Sequence, residues 1–252
     1  MIHTLSRDAF FEMAMTQTDT FMRSIDAFDL YVVKQYYPKD KMLAFRQFLR
    51  EFAQSKPASW HPCLDGCPDY HRINDEYAKS WVKARMHQFF FHRWNENKAI
   101  FDNFKDIFKL KNHLAGESPD AYYDNIPSDG LISRVVVQTY PCGGGYQQEH
   151  IDPHGPFALI QTIIMASQPG QDYHSGGFYY RLNEGEPAVS CDHLLEMGDM
   201  LVASPAVRHG VATVDADTTL DWDKLDGRYT IIPIILRSDY NADPNLKPKG
   251  LG

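Results

Sequence analysis

At 252 residues, 43% of them hydrophobic, the chain can bury a sizeable core as one large domain or two small ones. Its formal net charge of −8 excludes the basic face that a general nucleic-acid binder needs to displace counterions. No apolar run is long enough to span a bilayer, the amino terminus MIHTLSRDAFFEM lacks a secretory layout, and four cysteines make no disulfide framework. The composition points to an acidic cytoplasmic protein that engages neither membrane nor nucleic acid.

From the start to about Gly116 the patterns are helical. Within KDKMLAFRQFLREFAQSKP, Met42, Phe45, Phe48, Leu49 and Phe52 recur at three- and four-residue steps and fall on one face, and Pro57 closes the segment. The stretch HPCLDGCPDYH gathers His61, Cys63, Cys67 and His71. These types suit zinc, but they are crowded into eleven positions, and a reduced loop with two ordinary cysteines accounts for them better. ARMHQFFFHRW reads equally as a helix or a buried strand. NKAIFDNFKDIFKLKNHLAG is helical through Ile100, Phe104, Ile107 and Leu110, with Gly116 placed as a C-cap glycine.

After Gly130 the pattern changes to short β-rich runs: LISRVVVQTY, FALIQTIIMA, GGFYYRL, DMLVAS, HGVATV and RYTIIPIILR, bounded by Gly, Pro, Asp and Ser. No helix of useful length separates them, which predicts an antiparallel jelly roll over residues 130–240 with the helices of 1–116 packed on it as one unit, 1–252.

The chemistry gathers in YPCGGGYQQEHIDPHG. In an extended strand His150 and Asp152 point the same way, giving two-thirds of a facial triad of two histidines and one carboxylate. His209, in SPAVRHGVATV, lies on a late strand that a jelly roll could bring beside them. An isolated H-x-D is weak evidence in a chain with eleven histidines; the β-rich setting strengthens it. His154, after Pro153, belongs to the loop over the site, where it is a candidate substrate contact. His174 and His193 are simplest as solvent-facing.

Arg228 opens RYTIIPIILR and shares a face with Thr230, so a guanidinium and a hydroxyl can grip one carboxylate together. A buried arginine there needs an anion. The alternative is an exposed strand end with a surface ion pair. Arg134 and Arg181 are further strand arginines that either face the barrel mouth and receive an acidic or zwitterionic molecule, or are surface charges. Tyr179 and Tyr180 alternate, so one of them points inward.

Together, H150-x-D152, H209 and R228-x-T230 resemble the Fe(II)- and 2-oxoglutarate-dependent oxygenases, and within them the prolyl-hydroxylase-like branch. Tyr140-Pro141 before the glycines Gly143 to Gly145, and the pair Gly176-Gly177, are similar to that branch as well. The resemblance covers roughly residues 130–240 and implies a double-stranded β-helix, a jelly-roll, cupin-like core packed against α-helices. It implies iron on His150, Asp152 and His209, and 2-oxoglutarate held by Arg228 with Thr230 and Tyr140. With O2, such an enzyme hydroxylates or desaturates an unactivated C–H bond and releases succinate and CO2; Asp152 argues against halogenation, for which related enzymes carry a small residue there. The interval from His209 to Arg228, with its acidic insert DADTTLDWDKLDG, is longer than in many of these proteins and reads as a solvated loop. A small metabolite is the first expected substrate and a peptidyl residue the second. A non-enzymatic barrel binding a metal or ligand is the third reading.

Overall fold

The computed structural model describes residues 1–55, 70–75, 82–94 and 97–238. Of the zinc-like segment, only His71 falls among them; His61, Cys63 and Cys67 lie outside the described residues.

The carboxyl-terminal part is a jelly roll. Its strands are β5 (Leu131–Tyr140), β6 (Tyr146–His150), β7 (Gln161–Met165), β8 (Gly177–Arg181), β9 (Val189–Ser190), β10 (Met200–Ala203), β11 (Arg208–Ala212) and β12 (Arg228–Arg237). They sort into two sets, β10-β7-β12-β5 and β6-β11-β8-β9, with every pairing antiparallel. This interleaving is the double-stranded β-helix expected from the β-rich runs. The longest ladder joins β12 to β5 over their whole length, from Arg228 opposite Tyr140 to Arg237 opposite Leu131. Pro233 is tolerated inside β12 because the ladder to β7 covers only Thr230 and Ile231; further on, β12 is paired with β5.

The amino-terminal part, expected to be helical, also contributes four strands. β1 (Ile2–Ser6) and β2 (Leu30–Lys34) pair in parallel, linked by helices α1 (Arg7–Thr16) and α2 (Thr18–Asp26), and β2 adds to the free edge of β10. β3 (Tyr70–Ile73) pairs with β4 (Ala84–Phe91), and β4 lies against β5. The ambiguous ARMHQFFF is thus a strand. Its first residues Ala84 and Arg85 also pair with β6, so β4 joins the two sheets.

Helices cover the outer face of the larger sheet. In α3 (Lys39–Ser55), Met42, Phe45, Leu49 and Phe52 are buried, and Phe48 packs partly against them. The helical run expected over 97–116 breaks at Asn103 into α4 (Lys98–Asp102) and α5 (Lys105–Leu114). Phe104, Ile107 and Leu110 are buried, with Ile100 packed at the margin. Gly116 ends the segment in the left-handed region, φ 75°, as its C-cap position demands. These side chains share one cluster with Phe89, Phe91, Val135, Val137, Tyr229 and Ile231 from the sheet, each aromatic contributing on the order of 2–3 kcal/mol by its burial. Alternation along the strands then leaves the other face, carrying Gln88, Phe90, Arg134, Val136, Gln138, Tyr140, Arg228 and Thr230, turned into the barrel.

Candidate metal centre and carboxylate anchor

The approach to the centre is built by glycine. Gly143 and Gly144 have φ of 84° and 152°, which side chains resist, and a Cβ on Gly143 would overlap the backbone of Leu220. The acidic insert therefore packs on the glycine run instead of standing free in solvent. Its first acidic residue, Asp215, is buried and accepts hydrogen bonds from the backbone N–H groups of His174 and Ser175 at 2.8 Å.

β6 then enters the barrel with a bulge. His150 lies opposite His209, but Gln147 lies opposite Val211, so three steps on β6 match two on β11. The extra residue turns both Gln147 and His150 inward, which regular alternation forbids. The strand ends at His150. Asp152 is placed by its own backbone N–H, which donates to Pro205 O at 3.0 Å.

The structure brings His150, Asp152 and His209 together, with one ligand atom from each lying within 4.8 Å of the others. His150 Nε2 is 3.3 Å from Asp152 Oδ1, and His209 Nε2 is 3.4 Å from Asp152 Oδ2. The far nitrogens face carbonyls: His150 Nδ1 is 2.7 Å from Gln148 O and His209 Nδ1 2.9 Å from Val207 O. A carbonyl only accepts, so both Nδ1 atoms carry hydrogen and both Nε2 atoms can offer a lone pair. Gln161, the first residue of β7, donates a hydrogen bond to Asp152 Oδ2. Burial alone would raise the Asp152 carboxyl, but when the imidazoles carry a proton at Nε2 as well, their hydrogen bonds and charge outweigh it and hold it below the usual carboxylate range. Burial would lower His209, and the Asp152 carboxylate overrides it and raises that imidazole. A half-buried carboxylate between two buried imidazoles fits a divalent cation of intermediate hardness.

Arg228 and Tyr140 also meet inside the barrel, and Thr230 shares their face of the ladder, opposite Gln138. Arg228 faces Tyr140 across the strand pair, its Cζ 5.7 Å from the phenol ring centroid. The Tyr140 hydroxyl lies 2.7 Å from an amide oxygen of both Gln138 and Gln147. A phenol has one proton to donate, so one of these amides must present its NH2 instead. Burial keeps the phenol protonated, raising it against the opposing pull of Arg228.

The anion that a buried Arg228 requires is supplied within the chain. Its Nε and Nη2 donate to Asp192 at 2.6 and 2.9 Å, with side-chain exposures of 1% and 4%. The alternative of an exposed strand end with a surface ion pair does not describe this buried arrangement. Asp192 sits in SCDHLLEMGD, a stretch without periodicity, and nothing in the residue pattern singles it out.

The other expected contacts divide. Arg134 is buried on the inner face, donating from Nε to His92 Nε2 at 3.0 Å with its Cζ 4.8 Å above the Phe90 ring, so it is no surface charge. Arg181 is corrected: Phe178 and Tyr180 take the inward positions of β8, and Arg181 points outward to Glu149 at 3.0 Å. His154 is exposed in the segment after Asp152, and His174 and His193 are exposed as expected. His71 is buried on β3 opposite Gln88. Lys111 of α5 is a buried amine unforeseen in the sequence. It donates to Ile160 O at 2.7 Å, and burial pushes it down to about 7 despite the attraction of Asp152.

No family model matches the chain, and no curated protein does. Solved structures do match it in fold. A Pseudomonas putida prolyl-4-hydroxylase is 11% identical with a TM-score of 0.55, covering 86% of this chain and 97% of its own. A Trichoplax adhaerens prolyl hydroxylase, in complex with a hypoxia-inducible-factor peptide fragment, is 14% identical with a TM-score of 0.54, covering 92% and 94%. SnoN, a non-haem alpha-ketoglutarate-dependent epimerase from nogalamycin biosynthesis, is 12% identical with a TM-score of 0.51, covering 94% and 93%. The chain therefore has the fold of the 2-oxoglutarate- and Fe(II)-dependent oxygenases. Prolyl hydroxylases are among the structures that share it, as the resemblance in the sequence anticipates.

Proposed function

We propose that the protein is an Fe(II)- and 2-oxoglutarate-dependent oxygenase that hydroxylates or desaturates an unactivated C–H bond of a small molecule. The observation that carries this reading is the convergence of two imidazoles, their Nδ1 atoms locked as donors, on one carboxylate inside a double-stranded β-helix. His150, Asp152 and His209 would hold the iron, and Arg228, with Thr230 and the neutral phenol of Tyr140, the distal carboxylate of the cosubstrate. Iron and 2-oxoglutarate supply the oxidising chemistry with O2, releasing succinate and CO2. The chain supplies orientation. Gln161 restrains the Asp152 carboxylate, the two backbone carbonyls fix the imidazole planes, and Phe178, 5.5 Å from the His209 ring, shields that ligand from water.

The test is anaerobic addition of Fe(II) and 2-oxoglutarate, with a visible metal-to-ligand charge-transfer band expected. His150→Ala or His209→Ala should abolish the band. Arg228→Ala should weaken 2-oxoglutarate binding and leave metal binding in place. Iron bound without a band would sink the cosubstrate claim. A peptidyl hydroxylase of the prolyl type is the second reading, favoured by the two prolyl hydroxylases of like fold. Succinate release stimulated by a proline-containing peptide, and by no small molecule, would establish it. In a non-enzymatic barrel, Arg228→Ala would change neither metal nor ligand binding.

A further inference from the structure

We propose that Asp192 is the positioning residue of the carboxylate anchor. It grips Arg228 by one edge of the guanidinium and so fixes how the other edge meets the distal carboxylate of a 2-oxo acid. The assignment rests on the reading of Arg228 as the cosubstrate anchor. A guanidinium has two edges able to form paired hydrogen bonds, the side-on pair Nε/Nη2 and the end-on pair Nη1/Nη2. Asp192 takes the side-on pair, with Nε donating to Oδ2 at 2.6 Å and Nη2 to Oδ1 at 2.9 Å. The end-on pair is the edge left for a second carboxylate.

Asp192 is itself tightly held. The Phe178 backbone N–H donates to Oδ1 at 3.1 Å, and the Tyr173 hydroxyl donates to Oδ2. With the two Arg228 contacts, four hydrogen bonds fix one carboxylate, all from buried residues. Gly177 completes the seat: its φ is 103°, and a Cβ there would fall inside the Asp192 carboxylate. The Gly176-Gly177 pair thus has a physical reason, since the second glycine makes room for Asp192. A carboxylate so constrained cannot swing away to release Arg228. The guanidinium is therefore presented in one orientation, with its charge already balanced, and recognition of the incoming acid depends on fork geometry more than on net charge.

The sign of one effect distinguishes a positioning role for Asp192 from simple charge balance. If Asp192 only neutralises Arg228, removing its charge should tighten binding of an anionic cosubstrate. If it positions Arg228, removal should weaken it, because an asparagine amide sets an N–H donor against the guanidinium donors and turns the fork.

The experiment titrates Fe(II)-loaded protein anaerobically with 2-oxoglutarate and with 2-oxopentanoate, which has the same chain length but no distal carboxylate, reading the charge-transfer band. The wild type should prefer 2-oxoglutarate strongly. Asp192→Asn should reduce that preference by about tenfold, the size of one charge-assisted contact, with 2-oxopentanoate affinity and iron content unchanged. Tyr173→Phe, which keeps the ring and removes one of the four hydrogen bonds, should reduce it less; it decides the matter if Asp192→Asn does not fold. An unchanged or increased preference in the folded variants overturns the positioning role and leaves the functional reading standing. Equal wild-type affinity for the two acids overturns the anchor assignment, and the positioning role with it, but leaves iron and 2-oxo acid binding standing. No band with either acid overturns the functional reading, and this assignment with it.

Discussion

Gln161 donates a hydrogen bond to Asp152, the carboxylate lying between His150 and His209. The contact spans nine positions of sequence and ties β7, in the larger sheet, to Asp152, two residues past the end of β6 in the smaller one. Because Gln161 holds Oδ2, it orients the carboxylate without adding charge. Gln161→Ala is expected to weaken Fe(II) binding by about 10- to 100-fold, the usual effect of removing a residue that orients a ligand. Equilibrium dialysis against Fe(II) under anaerobic conditions measures it, and an unchanged affinity would show that Asp152 is held by the imidazoles alone.

The Arg228–Asp192 pair sets a stability expectation independent of any ligand. Removing one partner of a buried ion pair strands a charge and costs about 3–5 kcal/mol, whereas replacing both with apolar residues of similar size is far less costly. Arg228→Met and Asp192→Leu should each lower the urea midpoint sharply, and the double variant should recover most of the loss. Strict additivity in this cycle would mean that the two side chains do not interact as their geometry requires.

Lys111 predicts a pH dependence. In the unfolded chain the amine keeps its proton up to roughly pH 10.4; in the fold, burial brings it down to about 7. Between these limits the unfolded state binds more protons, so wild-type stability rises with pH relative to a variant lacking the amine. Lys111→Met should therefore stabilise the protein most below pH 7, with the gain shrinking toward pH 10. Urea denaturation of both proteins at several pH values tests this, and a gain independent of pH would remove the amine's titration from the account.

Two glycines separate conformational strain from steric exclusion. Gly116 and Gly143 have similar positive φ, 75° and 84°, but a Cβ on Gly116 meets nothing within 4 Å, whereas on Gly143 it overlaps Leu220 backbone. Gly116→Ala should cost about 1–2 kcal/mol, the left-handed penalty alone. Gly143→Ala should cost clearly more, because a backbone segment must also move. Comparable thermal shifts would show that the insert carrying Leu220 yields freely.

Much of this architecture is legible in the chain itself, and for identifiable reasons. LISRVVVQTY and RYTIIPIILR match β5 and β12 residue for residue because each is rich in β-branched residues and is preceded by a glycine, Gly130 and Gly227. The expected strand at DMLVAS likewise contains β10. β1 and β2 escape notice because five-residue strands beside helices carry too little period, and ARMHQFFF, buried along nearly all its length, shows no alternation to separate strand from helix. His150, Asp152 and His209 are readable as a set through type and spacing. Asp192, Gln161 and Lys111 are not, since each acts through a partner 36, 9 or 49 positions away that only the tertiary fold selects.

The bulge in β6 has a mechanical consequence. By letting Gln147 and His150 face inward together, it puts the amide network around Tyr140 and the first imidazole on the same short piece of backbone. A regular ladder over the same three-residue step would put Gln147 and His150 on opposite faces, and one of the two side chains would then have to rotate out of the barrel. The bulge thus works as a phase setting: it keeps the Tyr140 network and the first imidazole in step across an odd number of residues, which a regular strand would set on opposite faces.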